Sequence, residues 1–497
     1  MYVAVLVAAG AFYGLSCAPG ALWQDSGLIQ YRVWHHDIEG FLGLAISHPL
    51  YYLVAIVAKS VPLGAFAHRV NLVSALAAAV AVANVYLLVR LWLGRNFPAI
   101  IAAATLAFSH TFWRHASIAE TYTLWTALFS AELLALLQYT RTRRIGWLYA
   151  LALLNGLAIA VHMLASIPLL CYAAYVAVLL VKKRVRARHS VVLVFLWIVG
   201  ALPFACLIVK NMVASGDVLG TLASAAFGHR WQADVLNTSL SWRIVGQNMA
   251  FVLLNFPTPN LLLGAVGLYA LHRMGPTSAF RNIILVLMLS FFVFAFRYTV
   301  SDRYAFFIPF YCVTCVVIGL GAETLRSRLR RRAVLYAVAA FSLLPVVVYA
   351  AAPRAARRLN LQMPTRQNVP YRDDYEYFLQ PWKTRYRGAE RFAEEALEAA
   401  EAGAVIYADT TTVGPLLYTQ EVKCKRLDVS IVTGIVSGAG APSYGAQTFE
   451  SLIRSRPCYV TSVDAGYCPP FILDKYDFVQ AGVLWRVIQR PAPGVAQ

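Results

Sequence analysis

The first 352 residues are dominated by apolar segments that approach or reach the length needed to cross a lipid bilayer. About 20 apolar residues are required to cross a hydrocarbon core ~30 Å thick. The chain is 59% hydrophobic and only 13% charged, whereas soluble domains are about 25% charged. We therefore predict an α-helical polytopic membrane protein with about eleven transmembrane helices, at residues 2–18, 70–90, 97–113, 122–139, 147–162, 164–181, 190–209, 248–271, 282–299, 304–322 and 334–352.

The basic residues of this part lie in short clusters between the apolar segments. With the N-terminus in the cytoplasm, every cluster falls in a cytoplasmic loop, as the positive-inside rule requires. The formal net charge of +19 therefore reflects membrane topology, and no nucleic-acid-binding motif accompanies it. The clusters are Arg90 and Arg95; Arg141, Arg143 and Arg144; Lys182, Lys183, Arg184, Arg186 and Arg188; Arg273 and Arg281; and Arg326, Arg328, Arg330, Arg331 and Arg332.

The acidic residues collect in the loops of the opposite side. The same count of spans places everything after residue 352 on that outer side. We expect a multi-pass protein of a bacterial-type inner (plasma) membrane, with a cytoplasmic N-terminus and a periplasmic or otherwise extracytoplasmic C-terminal domain. The outer-loop acids are Asp25, Asp37, Glu39, Glu120, Asp217, Asp234 and Asp302.

The composition changes at residue 353, so we predict two domains, at 1–352 and 353–497. Residues 389–402 have a helical pattern, and later short β-rich runs alternate with stretches of helical character. This alternation predicts a small soluble α/β domain. Cys458 and Cys468 are candidates for a disulfide in it. The predicted strands are 404–409, 428–433, 458–462 and 483–488, and the predicted helices between them are 413–422 and 444–454.

The first outer loop, residues 19–69, is too long for a plain connector. Long structured loops more often carry function than short connections do. Residues 50–61 are apolar but too short to span, which predicts an interfacial helix. Asp25 directly follows the first span, between the interfacial anchors Trp23 and Trp34. By position alone, Asp25 is either a solvated loop acid or a functional carboxylate.

Two more outer-face segments combine carboxylates with arginines. Glu120 ends the third span, with Arg114 before it, and either caps the next helix, balances Arg114 or acts in a site. Asp302 and Arg303 occupy a tight turn, and Arg297 lies near the membrane, where an unpaired guanidinium is costly. The partner of Arg297 is either Asp302 or a lipid phosphate, for which a planar bidentate donor is well suited.

Motifs for other chemistries are missing from the sequence. No glycine-rich nucleotide loop, GxSxG or HExxH pattern occurs, and Cys312 and Cys315 lie within an apolar span. His48 has no second histidine at a metal-binding spacing, so we expect neither a metal nor another cofactor. The remaining set of carboxylates beside arginines suits glycosyl transfer from a membrane-bound phosphate.

Several ordered motifs in residues 10–140 resemble the DUF2723 family of membrane glycosyltransferases, which is related to protein O-mannosyltransferases of the GT-C superfamily. The resemblance implies a GT-C-like fold and transfer of a sugar, with mannose as a candidate. The family's usual DSGE motif has Leu28 in place of the glutamate, and its HPPGYPLY stretch is shortened to HPLYY. The motifs are Asp25-Ser26-Gly27, His48-Pro49-Leu50-Tyr51, Arg69 to Ala75, Phe108 to Trp113 and Ala119-Glu120 with Tyr122.

The resemblance implies roles for individual residues. An acidic residue in the first outer loop of GT-C enzymes lies at the active site, which makes Asp25 the leading catalytic candidate, with Glu120 as a second carboxylate. The donor is expected to be a polyprenyl-phosphate sugar and the acceptor a hydroxyl of a protein or glycan. The C-terminal domain either selects the acceptor or covers the site. The predicted substrate-binding residues are His48, Arg69, Arg114, Arg297 and Arg303.

Two other functions are compatible with the sequence. A transporter or flippase of lipid-linked sugars predicts intramembrane charges and broken helices in symmetry-related halves, and only Glu132 and Arg297 resemble such charges. An inactive GT-C-like binding scaffold is the second alternative, because Leu28 removes a carboxylate beside Asp25.

Overall fold

The computed structural model describes residues 1–62, 64–228, 232–235, 237–274, 277–300, 302–329, 331–434 and 445–490. Up to residue 358, these described residues form 17 α-helices. They are α1 (Tyr2–Ser16), α2 (Gln24–Trp34), α3 (Pro49–Lys59), α4 (Phe66–Leu93), α5 (Asn96–Ala107), α6 (His110–Ala116), α7 (Tyr122–Thr142), α8 (Gly146–Val161), α9 (Ser166–Val181), α10 (Arg188–Ser215), α11 (Val218–Phe227), α12 (Gln232–Val235), α13 (Trp242–Asn255), α14 (Leu261–Leu271), α15 (Ser278–Arg297), α16 (Ile308–Leu329) and α17 (Arg332–Arg358).

The predicted membrane class is confirmed. Among the described residues, six helices are long and apolar enough to cross a membrane. The helices α4 and α16 are central, because 78% and 94% of their most apolar windows are buried inside the protein. Close helix packing depends on small residues: a Cβ atom on Gly156 of α8 would lie 2.1 Å from the carbonyl oxygen of Trp197 in α10.

Each predicted apolar segment coincides with helix, but two are not single helices as predicted. The segment 97–113 breaks between α5 and α6, and the segment 248–271 breaks between α13 and α14. The two breaks meet, because the side chain of Asn255 at the end of α13 accepts a hydrogen bond from the Thr111 amide in the first turn of α6 at 2.9 Å. Irregular backbone at membrane depth is tolerated where protein groups satisfy it in this way.

The C-terminal part is a small α/β unit, as predicted. The strand order is β2-β1-β3-β5-β4, with β1 parallel to β2 and β3, and β5 antiparallel to β3 and β4. Strand β4 was not predicted. The elements are α18 (Asp374–Leu379), α19 (Gly388–Ala399), β1 (Val405–Tyr407), α20 (Val413–Val422), β2 (Ser430–Val432), α21 (Ala446–Ser455), β3 (Cys458–Val460), α22 (Pro470–Leu473), β4 (Tyr476–Ala481) and β5 (Leu484–Gln489).

Three local predictions have clear outcomes. The apolar run at 50–61 is helical, as α3. The disulfide between Cys458 and Cys468 is wrong, since both cysteines are free and buried. Residues 24–34, treated as loop, form α2, whose first turn contains Asp25, a charge that favours a helix N-terminus. The domain boundary at 352/353 stays a prediction, although α17 continues past it to Arg358.

Candidate active site

Asp25 lies in the first turn of α2, which follows the short connection from α1. Its side chain is accessible to solvent. Nevertheless, the protein atoms around it partly desolvate the carboxyl group and raise its pKa. A carboxylate in an accessible recess with a raised pKa has the properties that a general base requires.

The backbone of Glu120 is held in place by hydrogen bonds to the Ser74 side chain in α4. The amide of Glu120 donates to Ser74 Oγ at 3.0 Å, and Ser74 Oγ donates to the Glu120 carbonyl at 2.9 Å. Ser74 also hydrogen-bonds Tyr51 Oη at 3.0 Å. Ser74 and Tyr51 come from two of the motifs that carry the sequence resemblance, so these motifs converge on the connection between α6 and α7.

Asp25, Glu120 and Asp302 form a carboxylate cluster, in which the charges influence one another. Desolvation raises the pKa of Glu120 well above its usual value, and the nearby charges of Asp25 and Asp302 raise it further. Desolvation and the charge of Asp25 raise the pKa of Asp302 to about 6. Like charges held close together cannot all ionise easily. Simultaneous ionisation of all three carboxyl groups is therefore disfavoured.

Arg114 is the arginine of the predicted set that faces this cluster. Its positive charge lowers the pKa of both Glu120 and Asp302, against the larger effect of desolvation. The guanidinium is only 4% exposed and donates to Tyr304 Oη at 2.7 Å. Its Nε has no hydrogen-bond partner among the described residues, so one donor remains available.

Aromatic residues line the cluster, and one of them comes from the C-terminal part. Tyr377 in α18 has its ring centroid 5.5 Å from Arg114 Cζ. Burial raises the pKa of Tyr377, and the charges of Glu120 and Asp25 add to this increase. Tyr52 in α3 is also within electrostatic range of Asp25 and Glu120. Sequence reasoning assigned neither tyrosine to the site: Tyr52 ends the HPLYY motif without a predicted role, and nothing in the local sequence of Tyr377 relates it to the motifs.

Arg32, which sequence reasoning also missed, holds Tyr52 in place beside the carboxylate cluster. It is 5% exposed, and its Nη1 donates to Tyr52 Oη at 2.7 Å while its Nε pairs with Asp37 at 3.2 Å. The guanidinium carbon lies 3.8 Å from the centroid of the Tyr52 ring. A signal was present in the sequence, since an arginine on the outer side of the membrane is an exception to the positive-inside pattern.

His48 lies beside a second histidine that is distant in sequence. Its Nδ1 donates to the Val161 carbonyl at 2.7 Å, which leaves Nε2 as an acceptor. Desolvation lowers the pKa of His48 to about 4. The rings of His48 and His162 stack with centroids 4.9 Å apart. Among the described residues, no group of three or more histidines, cysteines or acids has the geometry to hold a metal.

The other three predicted arginines contact other partners. Arg69 donates to the carbonyls of Lys59 and Val61 at the end of α3. Arg297 donates to the Asn237 carbonyl at 2.8 Å. Arg303 donates to Gln247 in α13. Their predicted role in substrate binding stays a prediction.

The overall fold is similar to that of solved ArnT structures. The crystal structure of ArnT from Cupriavidus metallidurans bound to undecaprenyl phosphate is similar with a TM-score of 0.66 and 14% identity, covering 100% of this chain and 99% of that chain. The apo crystal structure of the same ArnT is similar with a TM-score of 0.63 and 14% identity, covering 98% of this chain and 97% of that chain.

Sequence comparison adds a family match over part of the chain. Residues 44–188 match the model described as the protein O-mannosyl-transferase TMEM260 N-terminal domain. No curated protein matches this chain. The matched segment includes His48, Arg69, Arg114 and Glu120, whereas Asp25 precedes it. This segment is thus similar to an O-mannosyl-transferase domain, and the DUF2723 assignment stays a prediction.

Proposed function

We propose that this protein transfers a sugar from a polyprenyl-phosphate donor to a hydroxyl acceptor on the outer face of the membrane. The observation that carries the proposal is the accessible carboxylate of Asp25 grouped with Glu120 and Asp302 beside Arg114. The match to a protein O-mannosyltransferase domain supports the reaction type and makes mannose the first sugar to test. The fold shared with a protein that binds undecaprenyl phosphate supports the lipid carrier.

In the proposed reaction, Asp25 is the general base. Its carboxylate accepts the proton of the acceptor hydroxyl as the acceptor oxygen bonds to the anomeric carbon of the sugar. The bond between this carbon and the phosphate oxygen breaks, and the lipid phosphate departs with the electron pair. Positive charge near the departing phosphate stabilises it, a role we assign to Arg114. Glu120 and Asp302 influence the ionisation of the site through their charges, and they position the sugar.

The proposed topology has a cytoplasmic N-terminus and places α2 and the unit from residue 353 to 497 on the outer face. It rests on the distribution of basic clusters between the helices. The carboxylate cluster then lies at the outer rim of the membrane domain. A lipid-linked donor reaches such a position with its headgroup while its chain stays in the bilayer.

The direct test supplies purified protein with radiolabelled polyprenyl-phosphate sugars and serine- or threonine-containing peptides or glycans as acceptors. We expect Asp25→Asn, which keeps the shape of the side chain and removes its basicity, to transfer about 10²- to 10⁴-fold more slowly than the wild type. Equal transfer by the two proteins would rule out Asp25 as the base. Movement of the labelled lipid across vesicles without transfer would support a flippase instead.

A further inference from the structure

The helix that contains Asp25 packs directly against helix α20 of the C-terminal unit. The backbones of the two helices are in close contact at Gly27 and Gly414. A Cβ atom on Gly414 would lie 2.7 Å from the Leu28 amide nitrogen and 2.8 Å from the Gly27 carbonyl carbon. A Cβ atom on Gly27 would lie 3.0 Å from Pro415 Cδ. Since the neighbours of residue 414 are backbone atoms, a side chain there must shift α2 and α20 relative to each other.

The start of α2 is held by the segment that precedes α20. The Gln24 amide donates to the Thr411 carbonyl at 3.1 Å. Gln24 has a φ of +53°, a left-handed conformation that non-glycine residues seldom adopt without support. This hydrogen bond therefore stabilises an unfavourable backbone conformation at the residue immediately before Asp25.

The far end of α2 is held by an acidic residue at the end of α20. Tyr31 Oη donates to Glu421 Oε1 at 3.0 Å, and His35 Nε2 lies 2.8 Å from Glu421 Oε2. On the flank, the rings of Trp23 and Phe392 of α19 pack with centroids 5.3 Å apart. The C-terminal unit thus contacts α2 at its start, middle and end.

Leu28 lies in this same contact, which gives the departure from the DSGE motif a physical context. Its partly buried side chain packs against an apolar cluster that contains Trp23, Val413 and Leu417. A glutamate at position 28 would have to bring a charge to this apolar contact, at a cost in desolvation. Leucine instead adds apolar area to the packing of α2 on α20.

We propose that Gly414, with Thr411 and Glu421, is a positioning residue for Asp25, so that the C-terminal unit is part of the catalytic apparatus. The catalytic consequence rests on the proposed glycosyl transfer, whereas the positional claim concerns α2 alone. A general base must lie within hydrogen-bond reach of the proton that it accepts. A displacement of about 1 Å caused far from the chemistry can lower a rate by ~10²-fold.

The test replaces Gly414 by alanine in the full-length protein and uses Gly445→Ala as the matched control. Gly445 belongs to the same C-terminal unit, and a Cβ atom there would meet no atom of the described residues within 4 Å. We expect Gly414→Ala to lower kcat by about 10- to 100-fold, with the KM for the lipid donor changed less than about twofold. We also expect faster hydrogen exchange in residues 24–34. Gly445→Ala should leave both unchanged.

A second pair of variants keeps the inference testable where Gly414→Ala does not fold. Glu421→Leu removes the contacts of residue 421 with both Tyr31 and His35 at the end of α2. Glu421→Gln retains the hydrogen bond to Tyr31 Oη. Leucine should accelerate exchange in residues 24–34 and lower kcat more than glutamine does. Equal, wild-type behaviour of the two would overturn the inference.

The two readouts separate this inference from the proposed function. If the wild type shows no transfer with any lipid-linked sugar, the proposed function fails, and hydrogen exchange alone decides whether α20 positions α2. If the wild type transfers sugar and Gly414→Ala retains wild-type kcat and exchange, the positioning role is wrong and the proposed function stands.

Discussion

Two groups of carboxylates in this protein have opposite surroundings. Asp409, after β1 in the C-terminal unit, has a side chain that is 3% exposed and pairs with Arg366 at 2.6 Å. It also accepts hydrogen bonds from the Thr411 amide at 2.7 Å and from Thr461 Oγ1 at 2.9 Å. In the described part of the chain, by contrast, no ion pair includes a member of the cluster Asp25, Glu120 and Asp302.

The contrast separates a structural carboxylate from reactive ones. Removing one partner of a buried ion pair is costly for folding. Carboxylates that are close to one another and incompletely paired have raised pKa values, which is typical of functional sites. Charge and location in the sequence do not distinguish the two groups, but their partners do.

The largest effect is expected for Asp25→Asn. Loss of a general base lowers a rate by about 10²- to 10⁴-fold, and we expect this loss in single-turnover transfer of labelled sugar. Because Asp25 forms no ion pair with the residues that the structure describes, thermal unfolding of the detergent-solubilised protein should not change. A variant that transferred at the wild-type rate would rule out Asp25 as the base, and one that unfolded would place Asp25 with Asp409 among structural residues.

The reverse pattern is expected for Arg366→Met. Asp409 would remain buried without its cation, which costs about 3–5 kcal/mol of unfolding free energy. Chemical denaturation of the full-length protein measures this loss, and the double variant Arg366→Met with Asp409→Leu should recover part of it. A single variant as stable as the wild type would show that the pair is not structural.

A smaller effect is expected for Asp302→Asn. The charge of Asp302 raises the pKa of Glu120, and the charge of Asp25 raises that of Asp302. Since this repulsion is mutual, removing Asp302 lowers the pKa of Asp25 and Glu120, and the base stays ionised at lower pH. The acidic limb of the pH–rate profile should therefore move to lower pH. A shift to higher pH would contradict mutual repulsion within the cluster.

The smallest effect is expected for Glu450→Gln, which serves as a control for Asp409. Glu450 pairs with Lys475, but their side chains are 39% and 56% exposed. Exposed ion pairs contribute little to stability. The variant should unfold like the wild type, and a clear loss would show that burial does not separate the two acidic residues.

More of the fold than of the candidate site could be predicted from the sequence. Apolar segments identify the membrane helices because span length is set by the bilayer, but the break at Phe108–Ser109 depends on Asn255, a partner 144 residues away from Thr111. The approach of Asp302 to Asp25 likewise requires the folded bundle. Tyr377 could not be assigned to the site from local sequence, because only the docking of α18 brings it to Arg114.

The most direct test of this account is a structure of the full-length protein with a non-transferable polyprenyl-phosphate sugar analogue. The account predicts that the sugar lies beside Asp25 and Glu120, with the phosphate on the side of Arg114 and the lipid chain along the membrane helices. A headgroup bound away from this carboxylate cluster would contradict it.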